Sequence, residues 1–589
     1  MCGFAALIAS GAPEKHTRAL AAAEAPLVSH GPDDRGELHR PPVYIIHRRL
    51  ALVDGVNGRQ PMSVDGDRYT ICFAGEIFNH WSLRRELIGL GHVFISGSDT
   101  EVALRAWIQW GDECLRRFDG MFSLLFLDWL TRRALFARDQ FGIKPAVFSN
   151  MGRRFAFSSS LVALRSLLPQ YPQLDTGALC DYLLNQATVA PRTIYKGVEK
   201  LLPGHFVRVN LDNPDHYEVA RWAGIEVPSH SQCTDSSILE AAIRRSLRAR
   251  QPDDQGSAIL LSGGLDSGVL AAIGAQLPGK RQAFCVHFPE IESSDPKRAV
   301  AVANASGLDL HFVGLRDSDM DALDDLSDIT GEPFGDDSLL PTFMLAQEVK
   351  RHRFHVAISG DGADELFAGY DLFKRWLASC DRGDSGLDAW ARVSNKYFDL
   401  TQLAGAMNPQ FSPQLVSPNV HEGRTFSSNR DVGHLSVARL VRLTHTLPDI
   451  MLRKMDAAFM FHSIETRPPY LSSEVARIAL KCDDSSLLRL IDGGVVEKAI
   501  LVSIWQRCLS AIPPPAKIGF NCPLFAWAAI ERSNFRRRID RLKSSSELRM
   551  IFHSGKIAAF VDLLLSQGRV KALWILMALD AWLALRKFS

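Results

Sequence analysis

The sequence has almost no net charge, no paired cysteines and no apolar run long enough to span a bilayer, and each absence narrows what it encodes. With 67 Lys+Arg against 66 Asp+Glu, the charge balance favours neither nucleic acid nor an anionic membrane surface. The ten cysteines are scattered over 589 residues without CxxC or metal-ligand spacing. That pattern excludes a disulfide framework and structural zinc, and it points to reduced thiols in the cytoplasm. The longest apolar stretch, "ALWILMALDAWLAL" (572–585), is broken by Asp580 and reads as a buried helix. No basic leader precedes an apolar segment, so no secretory signal is expected. Internal repeats and long low-complexity tracts are absent too.

What is present falls into two textures. The first ~200 residues read as short strands and turns with two amphipathic helices, "HWSLRRELIGLG" and "DTEVALRAWIQWG". "MFSLLFLDWLTRRALFARDQFG" reads as a hairpin turning near Trp129–Arg132. A β-rich layer covered by helices fits this pattern. Residues 210–235 are polar and aperiodic, and the expected boundary separates domains 1–215 and 216–589. Strands then alternate with helices, which argues for a parallel sheet covered on its faces. From about residue 375 the pattern is mainly helical.

Two motifs carry chemistry. In "AILLSGGLDSG" (258–268) an apolar strand runs into Ser262, Gly263, Gly264, Asp266 and Ser267, and a helix follows. Adjacent glycines admit an anion close to backbone N–H groups, and the helix N-terminus adds its positive dipole end. No GKS or GKT follows, so γ-phosphate transfer is not expected. The loop resembles that of ATP pyrophosphatases. "SGDGADE" (359–365) ends another strand with Asp361, Asp364 and Glu365 between glycines, a set suited to Mg2+ or to orienting an amine and an acyl-adenylate. At the other end of the chain, Cys2 becomes a thiol beside a free α-amine once Met1 is removed, a nucleophile with its own base.

Together these segments resemble the glutamine-hydrolysing asparagine synthetase family over nearly the whole chain. The matching segments are Cys2-Gly3, "GPD" (31–33), "RLALVD" (49–54), "GEIFNH" (75–80), "GSDTE" (97–101), "ARDQFGIKP" (137–145), "SGGLDS", "GEPFGDDSLLPT" (331–342), "SGDGADELFAGY", "ETRPPYL" (465–471), Glu497-Lys498 and "KIGF" (517–520). The resemblance implies an N-terminal Ntn-type αββα glutaminase sandwich and a C-terminal parallel-sheet ATP-pyrophosphatase domain with a helical end. It implies glutamine, ATP with Mg2+, and a carboxylate acceptor, aspartate by default, with no nucleic acid or membrane partner; a homodimer is compatible with it. Cys2 would attack glutamine and Gly75 would assist. Arg49, Leu50, Val53, Gly75, Glu76 and Asp99 would form the glutamine pocket. Ammonia would pass through an internal channel to the acyl-adenylate. Leu261, Ser262, Gly263, Gly264, Asp266, Ser267, Val286, Ser359 and Gly360 would hold ATP, with Asp266 and Asp364 on Mg2+ and Asp361 and Lys498 in catalysis.

The sequence departs from the family pattern at several points. Ala74 replaces the Asn that donates to the oxyanion, and His30 replaces the Arg before Gly-Pro-Asp. Asp361 is one methylene shorter than the usual Glu. Phe459 replaces a small residue and Ser472 an Asp; both are expected near the acceptor pocket, where they would favour a bulkier or flatter acid. Alternative readings are amidation of a non-aspartate carboxylate, or lactam closure beside a non-catalytic N-terminal domain.

Overall fold

The computed structural model describes residues 2–227, 235–252, 256–291, 294–380, 389–390, 397–411, 415, 434–491, 494–516, 519–530 and 533–586. Met1, part of the expected junction (228–234), Cys233, and Lys517 and Ile518 of the "KIGF" segment lie outside the described residues.

The N-terminal unit is a sandwich of two antiparallel sheets. The first has the order β10-β8-β9-β1-β3-β2, formed by β1 (Gly3–Ala9), β2 (Asp34–Arg40), β3 (Val43–Arg49), β8 (Val147–Asn150), β9 (Arg154–Ser158) and β10 (Glu199–Lys200). The second has the order β12-β11-β7-β6-β5-β4, formed by β4 (Met62–Val64), β5 (Tyr69–Ile77), β6 (Gly120–Asp128), β7 (Arg133–Arg138), β11 (His205–Asn210) and β12 (Tyr217–Arg221). The expected hairpin is β6–β7, and the two expected helices are His80–Gly89 and Asp99–Trp110. Strand β12 pairs with β11, so the sheet continues beyond the boundary expected at residue 215, through Arg221. Side chains alternate across β5 and β6 as the pleat requires. Ile71, Phe73, Phe122 and Leu124 pack towards the helices, whereas Cys72, Ala74, Leu125 and Leu127 face the core shared with Cys2 and Phe4.

The C-terminal unit is built on a parallel sheet of order β15-β14-β13-β16-β17, comprising β13 (Ser257–Leu260), β14 (Arg281–His287), β15 (Asp309–Gly314), β16 (Val356–Ile358) and β17 (Glu465–Arg467). The chain order reverses between β13 and β16. Open α/β sheets bind ligands at such a switch point, beyond the carboxyl ends of the strands. Both sequence motifs leave the sheet there. The largely helical remainder adds a hairpin, β18 (Leu488–Ile491) with β19 (Gly494–Glu497), and the buried helix Val570–Ala584, whose Asp580 bonds Ser545 and pairs with Arg541. Among the described residues, no helix is long and apolar enough to cross a membrane.

Buried charge joins the two units. Lys144 meets Asp456 at 2.8 Å, and Lys200 meets Glu332 at 3.1 Å and Asp449 at 3.6 Å. Arg453 also pairs with Glu332, which accepts from Thr188 Oγ1 and the Ile194 N–H. Burial alone raises the Glu332 carboxyl, but the Arg453 and Lys200 charges and these hydrogen bonds outweigh it and hold it at about 2. That lies below its ordinary 4.5, so the stabilisation is complete above that value and is lost as pH falls from there towards 2. The shift corresponds to ~3 kcal/mol. Glu332→Gln is therefore expected to lower the thermal midpoint at neutral pH and to show a smaller further drop on acidification to about pH 3 than the wild type. Thermal melts at both pH values check this.

Candidate active site

The residues expected to hold ATP and Mg2+ converge, with one exception, on a cavity of about 1120 Å³ at the switch point. Leu261, Ser262, Gly264, Asp266, Ser267 and Val286 line it from β13 and β14, and Ser359, Gly360, Asp361 and Asp364 line it from the loop after β16. Gly263 is the exception: it turns behind the wall at φ +79°, where a Cβ would stand 2.4 Å from the Asp295 carbonyl oxygen. The loop is braced internally, with the Ser262 N–H donating to Ser267 Oγ (3.2 Å) and the Gly264 N–H to Ser262 Oγ (3.3 Å). The helix Leu265–Ala275 then starts with its N-terminus towards the cavity.

Lys498 enters from the end of β19 and forms 2.5 Å ion pairs with both Asp266 and Asp364. Burial lowers its proton affinity, but the two carboxylates outweigh this and raise it above the ordinary lysine range. The residue holds a left-handed backbone, φ +51°, where side-chain-bearing residues are uncommon and strain collects at functional sites. Gly369 admits the side chain; a Cβ there would stand 1.7 Å from Lys498 Cε. Beyond the acids, Tyr370 donates to Glu365 at 2.6 Å, and burial with the Asp364 charge pushes Glu365 up to about 7. Asp361 is raised mainly by burial.

Phe459 and Ser472 do not reach this cavity. Phe459 is fully buried in the hydrophobic core, one turn beyond Met455, the last residue of its helix on the cavity wall. Ser472 caps the helix Ser473–Lys481 by accepting from the Val475 N–H. The expectation that these two residues shape the acceptor pocket is thereby corrected. Each serves packing or capping.

In the N-terminal unit, Cys2 precedes β1 and is nearly buried in the core shared with Ala74 and Cys72. Burial pushes its thiol up, against the lowering pull of the Leu50 backbone and the Arg49 guanidinium. Arg49 donates to the carbonyls of Val53 (2.9 Å), Asp54 (2.6 Å) and Gly55 (3.1 Å), so it fixes the loop that carries Leu50 and Val53. Gly75 has φ +148° and passes so close to β6 that a Cβ would stand 2.0 Å from the Met121 carbonyl oxygen. Asp99 accepts from the Ile77 N–H at 3.1 Å, with burial raising its carboxyl. Glu76 pairs with Arg467 of β17, which also holds Glu465 at 2.6 Å.

Arg467 lies in "ETRPPYL", where the sequence alone assigns it no role; its signal is a charge-bearing segment too short to read as a strand. Nor does the sequence signal a small cavity of about 60 Å³ between the units, lined by His30, Ser159, Lys200, Asp449 and Asp456 among others. Asp449 lines this cavity and the large one.

Residues 1–219 match the glutamine amidotransferase domain, and residues 238–584 match asparagine synthase. The chain belongs to the asparagine synthase family. It is similar to a putative asparagine synthetase (glutamine-hydrolyzing) of Mycobacterium tuberculosis, at 29% identity covering 90% of this chain and 88% of that one. It is also similar to asparagine synthetase (glutamine-hydrolyzing) 1 of Bacillus subtilis, at 27% identity covering 92% and 90%. Amidase chyE of Penicillium rubens is 28% identical, covering 60% of this chain and 55% of its own. Membership makes this chain a glutamine amidotransferase of the amide-forming asparagine synthase type, and its synthase domain implies use of ATP.

Proposed function

We propose that this family member hydrolyses glutamine at Cys2 and transfers the nitrogen to a carboxylate activated as its adenylate, with aspartate as the default acceptor. The observation that carries this reading is Lys498 bridging Asp266 and Asp364 at the switch point, in the same chain as the sandwich that holds Cys2. The Cys2 thiol, its proton taken by its own α-amine after Met1 removal, attacks the glutamine amide and leaves glutamate and ammonia after hydrolysis of the thioester. Ammonia passes by the inter-domain cavity, where Asp449 borders both compartments. In the large cavity the acceptor carboxylate displaces pyrophosphate from ATP, and ammonia then displaces AMP.

The residues fit the groups this chemistry needs. Gly264 and Gly360 leave a stretch of the cavity wall without side chains, and Ser262 and Ser267 offer hydroxyls to phosphate oxygens. Asp266 and Asp364 present hard oxygen donors to a shared point. Mg2+ takes one or two carboxylates together with substrate phosphates, and this pair of acids suits that habit. When bound, Mg2+ would neutralise charge on the leaving pyrophosphate.

A non-aspartate acceptor is the second reading, supported by a cavity of about 1120 Å³, just above the usual range for small-molecule sites of about 300–1,000 Å³. Incubation with Mg-ATP, glutamine and aspartate, assayed for glutamate, pyrophosphate and asparagine, separates the two. Asparagine with stoichiometric glutamate supports the first. Pyrophosphate release only with another acid supports the second, and none with any acid sinks both.

A further inference from the structure

The glutaminase site lacks a side-chain donor at Ala74, and the strand beside it supplies an unused one. Ala74 on β5 lies directly opposite Ser123 on β6. Opposed residues project to the same face with Cβ atoms about 4.5–5.5 Å apart. That face is the inter-sheet core: Cys72, Ala74, Leu125 and Leu127 pack there with Cys2, and Ser123 has their parity. Ser123 is fully buried, and among the described residues its hydroxyl has no hydrogen-bond partner. A buried hydroxyl left unpaired destabilises a fold, so a ligand that accepts from it during turnover explains its presence. Arg138, its neighbour on β7, is occupied with the carbonyls of Gly142, Lys144 and Leu201 and cannot take that role.

We propose that Ser123 donates to the oxyanion formed when Cys2 attacks glutamine, the task Ala74 cannot perform. In that step the Sγ–Cδ bond forms, the carbonyl π pair moves onto the amide oxygen and the thiol proton passes to the Cys2 α-amine. Collapse breaks the C–N bond, and the same proton leaves with the nitrogen as ammonia. The Ser123 hydroxyl donates to the negative oxygen while it exists. This rests on Cys2 being the nucleophile.

The test uses Ser123→Ala, Ala74→Asn and the double variant in the full chain. Ser123→Ala is expected to lower kcat for glutamate release about 10²-fold with the glutamine KM little changed. Its thermal midpoint should be unchanged or raised, which a merely structural hydroxyl would not give. Ala74→Asn in that background should restore activity. Ser123→Ala retaining wild-type kcat overturns the inference. So does a wild type inactive on glutamine but activated by Ala74→Asn, which leaves the Cys2 reading standing. Inactivity of both removes that reading and the inference together.

Discussion

Replacing Cys2 by alanine is expected to reduce glutamate release from glutamine by about 10⁴-fold or more, while pyrophosphate release supported by ammonium stays near wild type. The magnitude follows from the absence of a substitute nucleophile. Cys72 shares the same core, but burial and the adjacent Cys2 raise its thiol well above the ordinary range, which keeps it protonated. The selectivity follows from the architecture, because the residues proposed to hold ATP lie on a separate sheet and line a separate cavity. Parallel assays of glutamate and pyrophosphate decide the matter. Loss of both activities would mean that Cys2 supports the fold rather than the chemistry, and a thermal melt of the variant separates those outcomes.

The two architectures were legible because their signals are long. Alternating strands of the sandwich and the regular strand–helix spacing around "SGGLDS" each extend over several elements, so periodicity and turn chemistry agree. β17 was hidden for the opposite reason: three residues, Glu465–Arg467, two of them charged, carry no period to detect. Their charges become intelligible only when Glu76 of the other unit is placed beside Arg467. Glu76, expected in the glutamine pocket, accordingly has its carboxylate at the domain interface. Phe459 and Ser472 misled because proximity along a motif is not proximity to a cavity; one helical turn is enough to move a side chain from wall to core. Arg49 shows a subtler limit. Its motif identified it as important, but only the structure shows its donors bound to the loop that follows it.

Lys498→Met is expected to cut pyrophosphate release about 10³-fold with glutamine and with ammonium alike, and to leave glutamate release intact. Three observations set the size of this effect. The ammonium contacts both carboxylates that would flank the leaving pyrophosphate, so its removal leaves Asp266 and Asp364 facing the phosphates without a compensating charge. The strained left-handed backbone at Lys498 fixes where the side chain starts, and Gly369 leaves room for its path. The Asp carboxylates in turn keep the lysine charged across the working pH range, so the loss reflects a missing cation and not a shifted titration. Gly369→Ala supplies an independent arm, because its methyl would occupy the space now taken by Lys498 Cε and would displace the ammonium without deleting it. Both variants should therefore fail at the same step. If Gly369→Ala retained full pyrophosphate release while Lys498→Met lost it, the lysine would act from a position other than the one it holds between the two acids.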